Sequence, residues 1–208
     1  MRNYAGVLIM LLLLTGCWGG SDESSPVIEP SAAEIALTPV DDLFEGDAAK
    51  FKLFLGTMSG AFKLAYEGEK PSMKLDLDIW RGGKRVDKAG SIGDVFHSTQ
   101  GPTRKEVEVL IAIDDSTANI QNGQVGVKVC LVDEEGASLS TFTIPWDPKL
   151  TARGLIAYTE PRTFTLGEAI SVFGMHATST NSILTADFSA ESLGSTEWAL
   201  VLTLRPED

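Results

Sequence analysis

Beyond about residue 48, polar and apolar positions alternate with a period of two. Phe51, Leu53 and Leu55 share one side of their run, as do Phe62, Leu64 and Tyr66. Met73, Leu75, Leu77 and Ile79 alternate with Lys74, Asp76, Asp78 and Trp80. Val107 to Ile113, Val125 to Leu131 and Trp198 to Leu204 repeat the pattern. Such alternation predicts strands with one face on a core and the other toward water. Glycine-bearing turns separate the runs: "RGGK" (81–84), "QNGQ" (121–124) and "EEGA" (134–137). These suit hairpin connections. Further strand candidates are "GLIAYTE", "RTFTLG", "AISVFGMHAT" and "ILTADFS". The nearest approach to a helical stripe is "FSAESLGSTEW", which Gly194 weakens.

Eight to ten short strands spaced by 10–15 residues predict an all-β fold, an antiparallel β-sandwich loosely like an immunoglobulin domain, with a closed barrel as the alternative. The domain is expected over residues 48–208, long enough to bury a core without disulfides.

The first residues break the pattern. Arg2 is followed by the apolar run "AGVLIMLLLL". Ten helical residues reach about 15 Å, half of a hydrocarbon core of roughly 30 Å, so the run suits an export signal rather than a permanent span. It ends in Leu14, Thr15, Gly16 and Cys17. An aliphatic residue and two small residues before a cysteine resemble the bacterial lipobox. The resemblance covers about the first 17 residues and implies cleavage between Gly16 and Cys17, with diacylglycerol attached to the Cys17 sulfur. Acyl chains of palmitate length, at about 0.8 kcal/mol per buried CH₂, would anchor with roughly 20 kcal/mol. Residues 1–16 are thus expected to be a lipoprotein signal peptide. The membrane becomes a partner through the lipid, with the domain on the extracytoplasmic side. Trp18 is not the aspartate of inner-membrane retention, which favours the outer membrane in a cell with two.

Charge changes the picture next. The chain carries 17 Lys+Arg against 29 Asp+Glu, a net charge of −12. That disfavours nucleic acid as a partner. Eight of the acids lie between Asp22 and Asp47, with no Lys or Arg among them. Residues 17–47, rich in Gly, Ser, Pro and acids at their start, therefore read as a flexible tether reaching about 30 Å. Within it, "AAEIAL" could form a helical turn, or Val40–Phe44 a first edge strand.

With Cys17 lipidated, Cys130 has no partner for a disulfide. Its strand setting, "VGVKVCLVD", reads as a small buried apolar position near Lys128. His97, beside Asp94 and Ser98, is expected on a surface loop. His176 is expected to face the same way as Ile170 and Val172 as a partly buried, hydrogen-bonded imidazole. The two histidines lack metal-ligand spacing, and "DDSTANIQNGQ" lacks the glycine and glutamate of a calcium loop. No cofactor or metal is expected. Trp146, between two prolines, is expected to cover one end of the core.

The arrangement with the most chemistry is Asp76, Asp78 and Trp80, which should project together from one strand face. An indole plane with carboxylates at its rim could hold a sugar ring. The bland alternative has Trp80 under a loop and the aspartates paired with Lys74 and its neighbours. The sequence therefore predicts a lipid-anchored, non-enzymatic binding module of the cell envelope, its partner an envelope protein or a glycan. A carbohydrate-active or carbohydrate-binding protein using Asp76, Asp78 and Trp80 is the alternative.

Overall fold

The computed structural model describes residues 34–207 apart from 42, 52–54, 98–104 and 115. Gly16, Cys17 and the export signal lie outside the described residues. Eleven strands are described: β1 (Glu34–Pro39), β2 (Ser59–Tyr66), β3 (Met73–Arg81), β4 (Lys84–Ile92), β5 (Lys105–Asp114), β6 (Gln124–Asp133), β7 (Gly136–Pro145), β8 (Ala152–Ala157), β9 (Arg162–Thr165), β10 (Ile170–Thr178) and β11 (Trp198–Pro206). Two short helices, α1 (Thr117–Gln121) and α2 (Ala190–Ser195), join them. The strands form a six-stranded sheet, β7-β6-β5-β2-β1-β9, and a five-stranded sheet, β4-β3-β11-β10-β8. Every pairing is antiparallel. The fold is an all-β sandwich of two sheets, with one more strand than the upper expectation.

Alternation produces the core directly. Leu64, Val109, Val127 and Val129 from one sheet meet Leu75, Leu77, Leu200 and Leu202 from the other, all fully buried. Trp146 and Trp198 pack edge to face at 5.1 Å over one end, so Trp146 does cover the core. Tyr66 and Phe96 do the same at 4.9 Å beside the start of β3. At one side, β4 and β7 approach where the Phe142 ring occupies the space above Gly90.

Several boundaries differ from the sequence expectation. The first described strand, β1, starts at Glu34, ahead of the expected start at residue 48. Part of the expected tether is β1, hydrogen-bonded between β2 and β9 with Ile35 and Leu37 buried in the core. Two alternating apolar residues among acids and prolines suffice because both neighbouring strands supply partners. It is neither a helical turn nor an edge strand at Val40–Phe44. Gly46–Phe51 is a 3-10 turn with Phe51 exposed, so that run does not begin a strand. Residues 183–189 form no strand either; they cross the outer face of the five-stranded sheet. In β10 a bulge between Ser171 and Phe173 reverses the alternation. Val172, Phe173, Met175 and Ala177 all reach the core, whereas His176 faces outward.

Candidate functional site on the outer face of the five-stranded sheet

Asp76, Asp78 and Trp80 leave β3 on the outer face, as parity requires. Pairing sets them in rows. Trp80 lies opposite Ala199, His176 and Gly154 in successive strands, and Asp78 opposite Val201, Gly174 and Ile156. Asp76 lies opposite Thr203.

Both aspartates are buried despite facing outward, with Asp78 at 0% exposure. Long cations cover them. The Arg85 Nε donates to Asp78 Oδ1 at 2.7 Å, and Arg205 Nη2 donates to Asp78 Oδ2 at 2.7 Å. Arg205 Nη1 reaches Asp76 Oδ2 at 3.2 Å, so one guanidinium forks across both carboxylates. Asp76 Oδ1 also accepts from Ser91 Oγ at 2.6 Å and Lys88 Nζ at 3.5 Å. Burial alone would raise the Asp76 pKa. The Ser91 hydroxyl bond and the charges of Lys88 and Arg205 outweigh that, and its carboxyl is held below the usual range. A general acid needs the opposite shift. Both carboxylates are engaged by protein cations.

The network explains β4. That strand is at the sheet edge, residues 84–88 are all exposed, and bulges interrupt its pairing with β3. Only Ala89 and Ile92, near its end, pack against the core, which leaves its first half without an apolar face to fix register. Cross-strand bonds from Arg85, Lys88 and Ser91 to two buried carboxylates fix it instead. Lys84, Val86 and Asp87 are exposed.

Trp80 is half-buried and packs against Ile156, Leu193, Ala199 and Val201. Its indole Nε1 is buried without an acceptor. Small residues floor this part of the face: a Cβ on Gly174 would sit 2.7 Å from the Leu200 carbonyl and 3.6 Å from the Phe188 ring. The segment after β10 therefore packs down with Ala186, Phe188 and Leu193. Ser189 caps α2 by accepting from the Ser192 amide at 3.1 Å. The three sequence-selected residues thus share a face, with the carboxylates on protein cations and the indole in an apolar cluster.

The other candidates lie elsewhere. His97 Nε2 is 3.4 Å from Ser138 Oγ, while Asp94 pairs with Lys70 at 2.6 Å rather than with His97. Asp114 accepts from the Ser116 amide and Asn119, as a turn residue does. Asp133 accepts from the Glu135 and Gly136 amides in the β6–β7 turn. Cys130 is half-buried on the outer face of β6, between Leu110 and Leu139 in register. Its expected burial is therefore incomplete, because β6 buries only its other face.

Two cavities were not foreseen. One of about 500 Å³ opens at the side of the sandwich, lined by Tyr158, Phe164, Glu168 and Phe188 among others. Tyr158 stacks obliquely on both phenylalanines, and burial raises the pKa of its hydroxyl. The second, of about 280 Å³, lies under residues 180–186 with His176 as part of its lining. His176 is 7% exposed, and burial lowers its pKa so that the neutral imidazole is favoured. It makes no hydrogen bond to any described residue, contrary to the bonded imidazole expected from the sequence. The bulge in β10 is what turns it to this side.

Fold and face together define an antiparallel β-sandwich with one ion-paired, partly roofed outer surface. No protein-family model, curated protein or solved structure matches the chain.

Proposed function

We propose that the protein is a bacterial lipoprotein whose β-sandwich serves as a binding module on the extracytoplasmic side of the membrane. The observation that carries this is the run Leu14-Thr15-Gly16-Cys17 directly after the apolar stretch. The sequence separation between Cys17 and the first described strand, β1 at Glu34, is in keeping with a tether. Among the described residues no helix is long and apolar enough to cross a membrane.

Binding is favoured over catalysis because the most chemically suggestive carboxylates are committed to Arg85, Lys88 and Arg205. Carbohydrate recognition by Asp76, Asp78 and Trp80 would require them to release those cations, leaving buried charge unpaired. The partner is an envelope protein or a glycan outside that network.

A thiol count tests the anchor. Protein extracted from native membranes and unfolded in guanidinium should show one reactive thiol, Cys130, because a thioether blocks Cys17. Its N-terminal peptide should carry the mass of a diacylglycerol. Two thiols, or an unacylated N-terminus, would overturn the lipoprotein reading. Recovery of a stoichiometric partner from detergent-solubilised membranes tests the binding role.

A further inference from the structure

We infer that the cavity beneath residues 180–186 binds a primary ammonium group carried on an aliphatic chain. This names a site for the binding role proposed above and does not depend on the Cys17 lipid. Three features of the cavity define its ligand.

The first is the floor. His176 is 7% exposed, lines the cavity and makes no hydrogen bond to a described residue, so its accessible ring nitrogen is open to a group entering the cavity. A neutral imidazole has one nitrogen that can only accept.

The second is the direction of the wall hydroxyls. Ser195 Oγ donates to the Ser192 carbonyl at 2.7 Å, and Thr196 Oγ1 to the Leu193 carbonyl at 2.8 Å. Thr178 Oγ1 donates to Glu197 Oε2 at 3.0 Å. The protons of these three hydroxyls are spent inside the protein, so Thr178, Ser195 and Thr196 have only lone pairs left to offer. Glu197 lines the same cavity. Its Oε2 accepts from Thr178 and from both the amide and hydroxyl of Ser179. The Ser179 amide bond above all lowers its pKa and keeps it ionised. Oε1 has no hydrogen bond among the described residues. No lysine or arginine is part of the lining. A site of acceptors with one carboxylate selects a donor, and a cationic one over a neutral one.

The third is the rim. Leu184 is 82% exposed beside the half-buried Ile183, and both line the cavity. An exposed leucine at the mouth of a polar pocket suits methylenes leading away from the charged end. A volume of about 280 Å³ holds an alkylammonium of a few carbons. A lysine side chain of a partner protein and a free alkylamine share this chemistry.

The test uses three probes of one shape: n-butylammonium, n-butanol and butyrate, titrated into the full-length chain in detergent. The chain has two histidines, so the imidazole nitrogens give two resolvable NMR signatures, with His97 as internal control. Butylammonium should shift His176 saturably and leave His97 in place. Butanol should bind about five-fold more weakly, and butyrate should give no shift. The Glu197→Gln variant should erase the preference for amine over alcohol while retaining the native spectrum elsewhere. Absence of a saturable His176 shift with butylammonium, equal binding of butanol, or stronger binding of butyrate would each overturn the proposal. Membrane extraction and the thiol count report on the lipid separately. With binding established, a lysine-containing peptide against a free diamine distinguishes the two sources.

Discussion

Replacing Asp78 by alanine isolates the value of the ion-paired network. Asp78 is wholly buried and accepts from two guanidinium groups at 2.7 Å each. Removing one partner of a fully buried ion pair costs about 3–5 kcal/mol, because the other charge is stranded. Here the stranded side chains are not fully buried: Arg85 is 44% exposed and Arg205 23%. Both recover some hydration, and Arg205 keeps its bond to Asp76, so about 2–3 kcal/mol is the better figure. For a domain of this size that lowers Tm by roughly 5–10 °C. Urea unfolding followed by the fluorescence of the buried tryptophans should show a lower midpoint with an unchanged slope. Amide exchange should accelerate along β4, whose register depends on these bonds, and much less along β5 and β6. A double-mutant cycle of Asp78→Asn with Arg205→Met should give a coupling above about 1 kcal/mol. A loss below about 0.5 kcal/mol, or exchange spread evenly over both sheets, would refute the register argument.

Acid should weaken the protein in a defined way. The folded Asp76 pKa lies below its unfolded value, so its contribution is complete above the ordinary aspartate range and is lost as pH falls through the lowered folded value. The Asp76→Asn variant should therefore lose less stability than the parent over that window, measured by urea midpoints at successive pH. Burial lowers the His176 pKa, so its imidazole should titrate below the ordinary histidine value, followed by NMR. Gly83→Ala should cost more than about 2 kcal/mol in chemical denaturation, because φ is +74° and the new Cβ would lie 2.5 Å from the Gly194 backbone. Ile35→Ala should cost about 2–4 kcal/mol if β1 is core rather than tether. A chain starting at residue 48 should fail to fold cooperatively, whereas one starting at 32 should match the parent.

Legibility in the sequence followed burial. In β2, β3, β5, β6 and β11 one face meets the core and the other does not, so composition alternates and the strands can be read. In β4 the apolar signal is nearly absent, because the first half of "KRVDKAGSI" is held by charge and only Ala89 and Ile92 pack on the core. β9 has four residues, too few for a period, and β1 has two buried positions in an acidic stretch. The bulge in β10 inverts parity after Val172, and adjacent Val172 and Phe173 are its only local trace. The shared face of Asp76, Asp78 and Trp80 was legible because parity is local. Their partners were not: Arg205 is 127 residues from Asp78, and the segment over the apolar cluster folds back from beyond β10. The β10 bulge likewise placed His176 in a cavity where the sequence set it toward the core.

One outer face carries two different solutions to the same problem. A sheet face away from the core must either be wet or be covered. Toward Asp76 and Asp78, cations on β4 and β11 cover it, and their own outer ends stay in water. Toward Trp80, glycine and alanine make a shallow floor on which residues 183–193 lie as a roof. The roof seals where Phe188 and Leu193 reach the floor, and it leaves a gap at His176, where the floor carries a polar side chain that the roof does not bond. An apolar residue at that position would have closed the gap by packing over Gly154, where the imidazole edge now lies. His176→Leu should accordingly stabilise the fold or leave it unchanged in urea while abolishing butylammonium binding, read by titration calorimetry. Loss of more than about 1 kcal/mol on that substitution would mean that the imidazole serves the fold, and the cavity would then be a packing defect rather than a site.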